Sequence, residues 1–317
     1  LHGDDVEQSV EPFSIDDLAA ELEMDPYEVF MANLDLTQRP DVYAAELKRA
    51  AELIGWSEKW KGRKKWVEGP IHRGLGLAIH TWGGRAGNAK ARIVVNPDGT
   101  VETFAGTQDL GTGTRTCIAQ VVAESFGLPL SAVKVNIGSS KYPASGPSGG
   151  STTIGGVCES NRRASLDALD KLFALVAPKF GVQPNQLEAK NGRVGVVGST
   201  GKSLSWKEAC SLLGMNALEV KGEFVRGTKD PKLGAGSLLS NAQVGGVQMA
   251  EVAVDVETGV VKMKKFVAVQ DIALVVNRKL AASQIYGAVI LGLAYALFEA
   301  RIMDAQTGAF VNWERDD

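Results

Sequence analysis

Two stretches rich in glycine, serine and threonine constrain this chain more than any other feature. They are Gly106-Thr107-Gln108-Asp109-Leu110-Gly111-Thr112-Gly113-Thr114 and Ser145-Gly146-Pro147-Ser148-Gly149-Gly150-Ser151-Thr152-Thr153. Each feeds a segment with apolar residues at helical spacing, Ile118, Val121, Val122 and Phe126 after the first and Ile154, Val157, Leu169, Leu172 and Val176 after the second. A helix start carries unpaired backbone N–H groups and the positive end of the dipole, so a loop that opens a helix is a candidate anion cradle. Taken singly, each stretch reads equally as an exposed turn. Two built alike point to one phosphate-bearing cofactor held jointly.

The spacing of the first loop, G-x-x-x-x-G-x-G, lacks the Gly-Lys-Ser/Thr that sets a lysine on phosphates and a hydroxyl on magnesium. No ribose-binding acid follows in a parallel unit, so nucleotide folds are poorly supported. What remains is a neutral cradle of backbone amides, the Thr112, Ser151, Thr152 and Thr153 hydroxyls, and Gln108. Such a set suits a ligand with one phosphate and many heteroatoms.

The rest of the composition removes other classes. A formal charge of −3, without a long lysine/arginine run, gives no footprint for nucleic acid. Cys117, Cys158 and Cys210 are isolated and only three histidines are present, which argues against a metal site and a disulfide framework. No targeting pattern shows in residues 1–30. The most apolar run, Ile285 to Phe298, is short for a bilayer and carries Gly287 and Gly292, so it is expected to be a buried helix. The expected location is the cytoplasm, with the periplasm as the alternative.

In chain order, residues 1–66 read as helical. Ser14 is expected to cap a first helix, Asp25-Pro26 opens a second, and Asp41 caps a third from Val42 to Ile54 that ends at Gly55. Gly74 to Trp82 alternates as a strand and is broken by Gly83-Gly84. Asn96-Pro97-Asp98-Gly99 and Asn191-Gly192 mark hairpins, Thr114 is placed to cap the helix after the first loop, and the helix after the second ends before Pro178. Ser205-Trp206-Lys207-Glu208 fits a capping box. Residues 227–236 mark a lobe boundary, and Val247 to Val256 and Val260 to Val269 form a further hairpin before a helix over Leu280 to Ala300. The pattern is α+β, with antiparallel hairpins and mixed sheets packed with helices. It divides into a helical connecting segment (1–66), a lobe with both loops (67–226) and a second α+β lobe (227–317).

Four separated segments resemble the molybdopterin-binding subunit of the xanthine dehydrogenase/aldehyde oxidase family. These are Gly74-Leu75-Gly76-Leu77-Ala78, Gly106 to Gly113, Pro147-Ser148-Gly149-Gly150-Ser151 and Gln284-Ile285-Tyr286-Gly287-Ala288. Asp25-Pro26 with Asn33-Leu34, and Arg49 to Trp56, match further segments in the same order. The resemblance implies the molybdenum-hydroxylase fold and oxidation of an aldehyde or N-heterocycle by water-derived hydroxylation. It implies molybdenum–molybdopterin, free or as its cytosine dinucleotide, with electrons passed to iron–sulfur and FAD domains or subunits. Carried over residue by residue, Gln108, Gly111, Thr112 and Gly113, with Gly149, Gly150, Ser151, Thr152 and Thr153, would line the pterin and its phosphate. Gln284, read as a third helix start, would reach it from the other side.

Departures accompany the resemblance. Where the family has His-Asp-x-Gly and then Asn-Pro, this chain has Gln270-Asp271-Ile272-Ala273 and Asn277-Arg278, so that turn is expected to take another shape. The family's Gly-x-Gly-Glu-Pro, which carries the base, is absent, Glu314 lacks its glycine context, and no Arg-x-x-Gly stands in Leu1 to Asp5. No catalytic residue and no metal ligand is assigned. The chain is therefore expected to be a fragment, a split subunit completed by its missing half, or a structural or assembly subunit that kept the fold and lost the site.

Overall fold

The computed structural model describes residues 15–37, 39–63, 65–82, 86–199, 201–226, 244–300 and 302–311. Ser14, Gly83-Gly84, residues 227–236 and Glu314 lie outside them. Helices α1 (residues 15–21), α2 (Pro26–Ala32), α3 (Pro40–Ile54) and α4 (Trp56–Lys59) come first. The strands β1 (Val67–Glu68), β2 (Ile71–Trp82), β3 (Ala89–Val95) and β4 (Val101–Ala105) follow. Then come α5 (Thr114–Phe126), β5 (Val133–Ile137) and α6 (Thr153–Phe180). A small sheet of β6 (Leu187–Lys190), β7 (Arg193–Val196) and β8 (Ser203–Ser205) precedes α7 (Trp206–Ser211) and β9 (Leu218–Phe224). The chain closes with β10 (Val244–Asp255), β11 (Val261–Asp271) and α8 (Arg278–Leu297).

Two compact units are formed, and neither is one continuous stretch. The first takes residues 1–81, 245–271 and 278–317; the second takes 82–244 and 272–277. In the first, the sheet runs β1-β2-β10-β11. Asp25 caps α2 through the Tyr27 amide and also accepts from the Trp56 indole, which ties α2 to α4. Helix α3 starts one residue before the expected cap. Pro40 takes the first helical position, Arg39 is the cap and Asp41 lies within the first turn. Its inward face, Tyr43, Leu47, Ala50 and Ile54, packs with Val247, Met249 and Val267 of the sheet. Burial of each large side chain there contributes about 2 kcal/mol.

One member of that face is out of character. Glu46 is 5% exposed, and its carboxylate forms no ion pair among the described residues. Burial, and then the negative charge of Asp271, pushes its pKa up to about 7; the Asp271 amide and Arg39 offset only part. Arg39 and Asp271 are themselves an ion pair.

In the second unit the sheet runs β5-β4-β3-β9, covered by α5 and α6. The Asn96 to Gly99 hairpin joins β3 to β4, Asn191-Gly192 turns β6 into β7 with both residues at positive φ, and the Ser205 capping box forms. Helix α6 runs through Pro178 and stops at left-handed Gly181. Proline in the last turn forfeits a single helical bond, which is why it did not end the helix. The unexpected feature is a parallel pair. β4 and β5 run side by side, Val101 opposite Val133 and Ala105 opposite Ile137, with α5 as the crossover.

Helix α8 departs further from expectation. None of its residues is buried, and Tyr286, Ile290, Leu291 and Tyr295 are all exposed. It is apolar on every side, so periodicity could not assign it an inner face. At 20 residues it also meets the length and composition of a bilayer span, so the argument from shortness fails.

Candidate cofactor cradle

The parallel pair explains why the two loops meet. Both β4 and β5 end on the same edge, and ligands of α/β units collect at the carboxyl ends of parallel strands. Loop 1 leaves β4 at Gly106; the segment after β5 leads to loop 2. Two backbone bonds tie loop 1 to the segment after β5, and one side-chain bond ties it to loop 2. The Gly106 amide donates to Pro143 O at 2.7 Å, the Gly138 amide donates to Thr107 O at 2.8 Å, and Ser148 Oγ donates to Gln108 Oε1 at 2.6 Å.

Loop 1 is not the open anion cradle that the sequence suggests. Asp109 folds back over the start of α5: Oδ1 accepts from the Gly111 and Gly113 amides, each at 3.1 Å, and Oδ2 from Arg115 at 3.0 Å. The chain's own carboxylate fills the nest. Gly111 and Gly113 adopt φ of +94° and +85°, which lets their N–H groups converge on it. The cap position falls on Gly113, and Thr114 is the first helical residue instead of the cap. Burial would raise the Asp109 pKa, but the amides of Arg115, Gly113, Gly111 and Thr114 outweigh it and hold it below the usual aspartate range. Asp109→Ala is expected to destabilise the unit by about 1–2 kcal/mol at neutral pH, as loss of a helix cap does. Because the depressed pKa makes this contribution vanish as pH falls through the folded-state value, the wild-type and variant denaturation curves should converge in acid.

Loop 2 is left open. The α6 start has no side-chain cap at Thr152. Thr152 Oγ1 donates to Gly149 O at 2.9 Å, and Thr152 O accepts from the Gly87 amide at 2.8 Å. Gly150 and Ser151 are both left-handed, φ +63° and +58°, and the Trp82 indole N–H donates to Gly150 O at 3.4 Å. A small cavity behind the loop is lined by Gly87, Asn88, Ser145, Gly146, Thr152 and Thr153.

Two observations bear on whether a heteroatom-rich ligand fits here. A side chain added at Gly111 or Gly149 would meet nothing within 4 Å, and Thr107 Oγ1 and Ser145 Oγ are buried without a hydrogen-bond partner. The donors here are neutral hydroxyls and amides, which suits a pterin and its single phosphate. Among the described residues no group of three His, Cys, Asp or Glu side chains is placed to hold a metal ion. The cysteines are all buried and unpaired, and burial pushes the Cys210 thiol up to about 12.

Of the residues expected to bind cofactor, Gln108, Gly111, Thr112 and Gly113 lie on loop 1, and Gly149, Gly150, Ser151 and Thr152 on loop 2, with Thr153 opening α6. The Ser148 bond joins the two sets. Gln284 is the seventh residue of α8, exposed, and belongs to the first unit. It is not at a helix start, since α8 begins two residues before Leu280. Sequence reading missed Asp109, Ser148, Thr107, Ser145 and Trp82. Only Asp109 left a signal, as an acid a few residues before a helix start.

The turn after β11 has a left-handed residue in it. Ala273, standing where the family carries glycine, takes φ of +53°. That conformation costs an alanine about 1 kcal/mol.

A sequence profile of the molybdopterin cofactor-binding domain matches residues 49–316. The chain is 28% identical over 311 residues to the aldehyde oxidoreductase molybdenum-binding subunit PaoC of Escherichia coli O157:H7, and 27% identical over 320 residues to the xanthine dehydrogenase molybdenum-binding subunit of the same organism. Each alignment takes 94% of this chain but only 40% and 41% of the relative, so the chain spans about two fifths of their length. Among solved structures, CO dehydrogenase from Oligotropha carboxidovorans superposes with a TM-score of 0.77 at 20% identity, covering 95% of this chain and 40% of that one. Quinoline 2-oxidoreductase from Pseudomonas putida 86 gives 0.76 at 20% identity, covering 96% and 42%. Helix α8 falls inside the matched stretch and is part of the domain, not a membrane span. The chain belongs to the molybdopterin cofactor-binding domain family.

Proposed function

We propose that this chain forms the molybdopterin-holding part of a molybdenum hydroxylase that oxidises an aldehyde or an N-heterocycle. The observation that carries the reading is the pair of loops joined at the carboxyl ends of β4 and β5, with open space over Gly111 and Gly149 and orphaned hydroxyls around it. When bound, the cofactor supplies a molybdenum centre for two-electron oxidation of the substrate. The residues of this chain bind and orient. The open α6 start and the Thr152 and Thr153 region take the phosphate, and Gln108 and Thr112 meet the neutral edge of the pterin.

Iron–sulfur and FAD subunits or domains are the electron-transfer partners in this reading, and the rest of the molybdenum subunit completes the active site. The bare apolar surface of α8 supports a covering partner of that kind. Three unpaired cysteines agree with assembly in the cytoplasm.

The test is the molybdenum and pterin content of the assembled complex with and without Gly149→Phe. A ring at this position enters open space, so folding is expected to be unaffected while bound molybdenum and pterin fall at least tenfold. The nucleotide released on acid treatment tells the cytosine dinucleotide from free molybdopterin. Unchanged cofactor content would favour a structural subunit that has lost the site.

A further inference from the structure

Ser148 Oγ lies 2.6 Å from Gln108 Oε1, and this side-chain bond crosses from loop 2 to loop 1. The spacing fits an O–H···O bond; an amide N–H donating to a hydroxyl sits nearer 2.9–3.0 Å. The carbonyl end of Gln108 therefore faces Ser148, and the amide hydrogens point elsewhere. They have no partner among the described residues, and Gln108 is exposed.

The two ends of this bond differ in stiffness. Ser148 follows Pro147, whose ring fixes the local backbone, on a loop held at Gly149 O by Thr152 and at Gly150 O by Trp82. Gln108 is a three-torsion side chain at the surface. Left alone, it would lose rotamer freedom on meeting any ligand. A bond to a fixed hydroxyl removes that loss in advance.

Main-chain donors at the start of α5 are already engaged. Asp109 takes the amides of Gly111, Gly113 and Arg115, so recognition by this loop falls to side chains, above all the Gln108 amide. We propose that Ser148 is a positioning residue that acts through Gln108, presenting the Gln108 Nε2 hydrogens to a neutral acceptor of the cofactor, a ring nitrogen or carbonyl oxygen. This rests on the reading of the loops as a pterin cradle. It adds which atoms of loop 1 do the recognising, and what holds them.

A double-mutant cycle on the assembled holoenzyme tests it, with first-order release of pterin followed by fluorescence and the melting midpoint of each variant measured alongside. Gln108→Ala and Ser148→Ala are each expected to speed release about tenfold, without moving the midpoint by more than about 2 °C, and the double variant should be no faster than Gln108→Ala. Ser148→Thr, which keeps the hydroxyl, should restore slow release. If Ser148→Ala speeds release just as much in the Gln108→Ala background, the serine acts on loop 2 itself and the proposal is overturned. Wild-type release from Ser148→Ala beside fast release from Gln108→Ala overturns it too, while leaving the cradle intact. Wild-type release from Gln108→Ala would remove loop 1 from the cradle and the proposal with it.

Discussion

Gly222→Ala is expected to lower the melting midpoint of the loop-bearing unit by about 10 °C, the equivalent of roughly 3 kcal/mol in a unit of this size. The reason is how closely β9 lies on α6. A Cβ at Gly222 would sit 2.1 Å from the carbonyl oxygen of Ser160, 2.6 Å from the amide nitrogen of Ala164 and 2.9 Å from the Ala164 methyl. These are helix atoms that cannot rotate aside. The strand cannot retreat either, because β9 pairs with β3 from Ala89 opposite Phe224 to Val95 opposite Leu218. One of the two elements must shift as a body. Helix α6 begins at the end of loop 2, so a shift also reaches the cradle, and cofactor retention should fall together with the midpoint. That sets it apart from Gly149→Phe, which should lose cofactor at an unchanged midpoint. Circular dichroism melts of the two variants give the comparison. A Gly222→Ala midpoint within 2 °C of wild type would mean that strand and helix do not approach so closely.

Glu46→Gln is expected to stabilise the protein at pH 8 by about 1–3 kcal/mol and to leave it unchanged at pH 4. Buried Glu251 shows what a compensated acid looks like here, with Lys59 Nζ at 2.5 Å and Arg73 Nη1 at 3.5 Å. Glu46 has no such partner, and Arg39, whose charge offsets part of its shift, is engaged by Asp271. Its folded-state pKa of about 7 lies above the ordinary 4.5. The folded protein therefore holds a proton that the unfolded chain releases between those values, and stability falls as pH rises from 4.5 to about 7 and stays low above. Glutamine imitates the protonated acid at every pH and removes the penalty. Urea denaturation from pH 4 to 9, read through Trp56 in the same core, should show a gain that grows across that window. A gain of equal size at pH 4 and pH 8 would mean that ionisation of Glu46 is not its source.

What could be read in the sequence was what neighbouring residues decide among themselves. Ser205 and Glu208 cap each other across three positions, and Asn191-Gly192 supplies two positive-φ residues in a row, so both features stand where pattern put them. Gly55 ends α3 for the same reason. Asp109 escaped because it reaches the Arg115 amide from six positions upstream, beyond the usual span of a cap. The β4–β5 pairing escaped because register between strands 30 residues apart leaves no mark on periodicity. Glu46 was masked by its own helix, whose apolar stripe of Leu47, Ala50 and Ile54 drew attention away from the acid beside it. Helix α8 shows the limit from the other side. A helix apolar all round reads as buried, but pattern cannot say whether the atoms that would bury it belong to the same chain.

The interleaving of the two units bears on how the chain comes off the ribosome. β2 ends at Trp82, and its neighbour β10 begins at Val244. The intervening stretch of roughly 160 residues takes about 10–30 s to translate, and its loop closes against chain entropy. By the end of that interval the loop-bearing unit has nearly all its sequence in hand, while among the described residues made so far only the two-residue β1 pairs with β2. A long strand left waiting is a hazard for aggregation. The β2 sequence limits it, since Arg73 interrupts the apolar run with charge and Gly74 and Gly76 favour extended pairing poorly. Gly74 and Gly76, part of the family-like segment in the mature fold, are also poor strand formers while the sheet is unfinished.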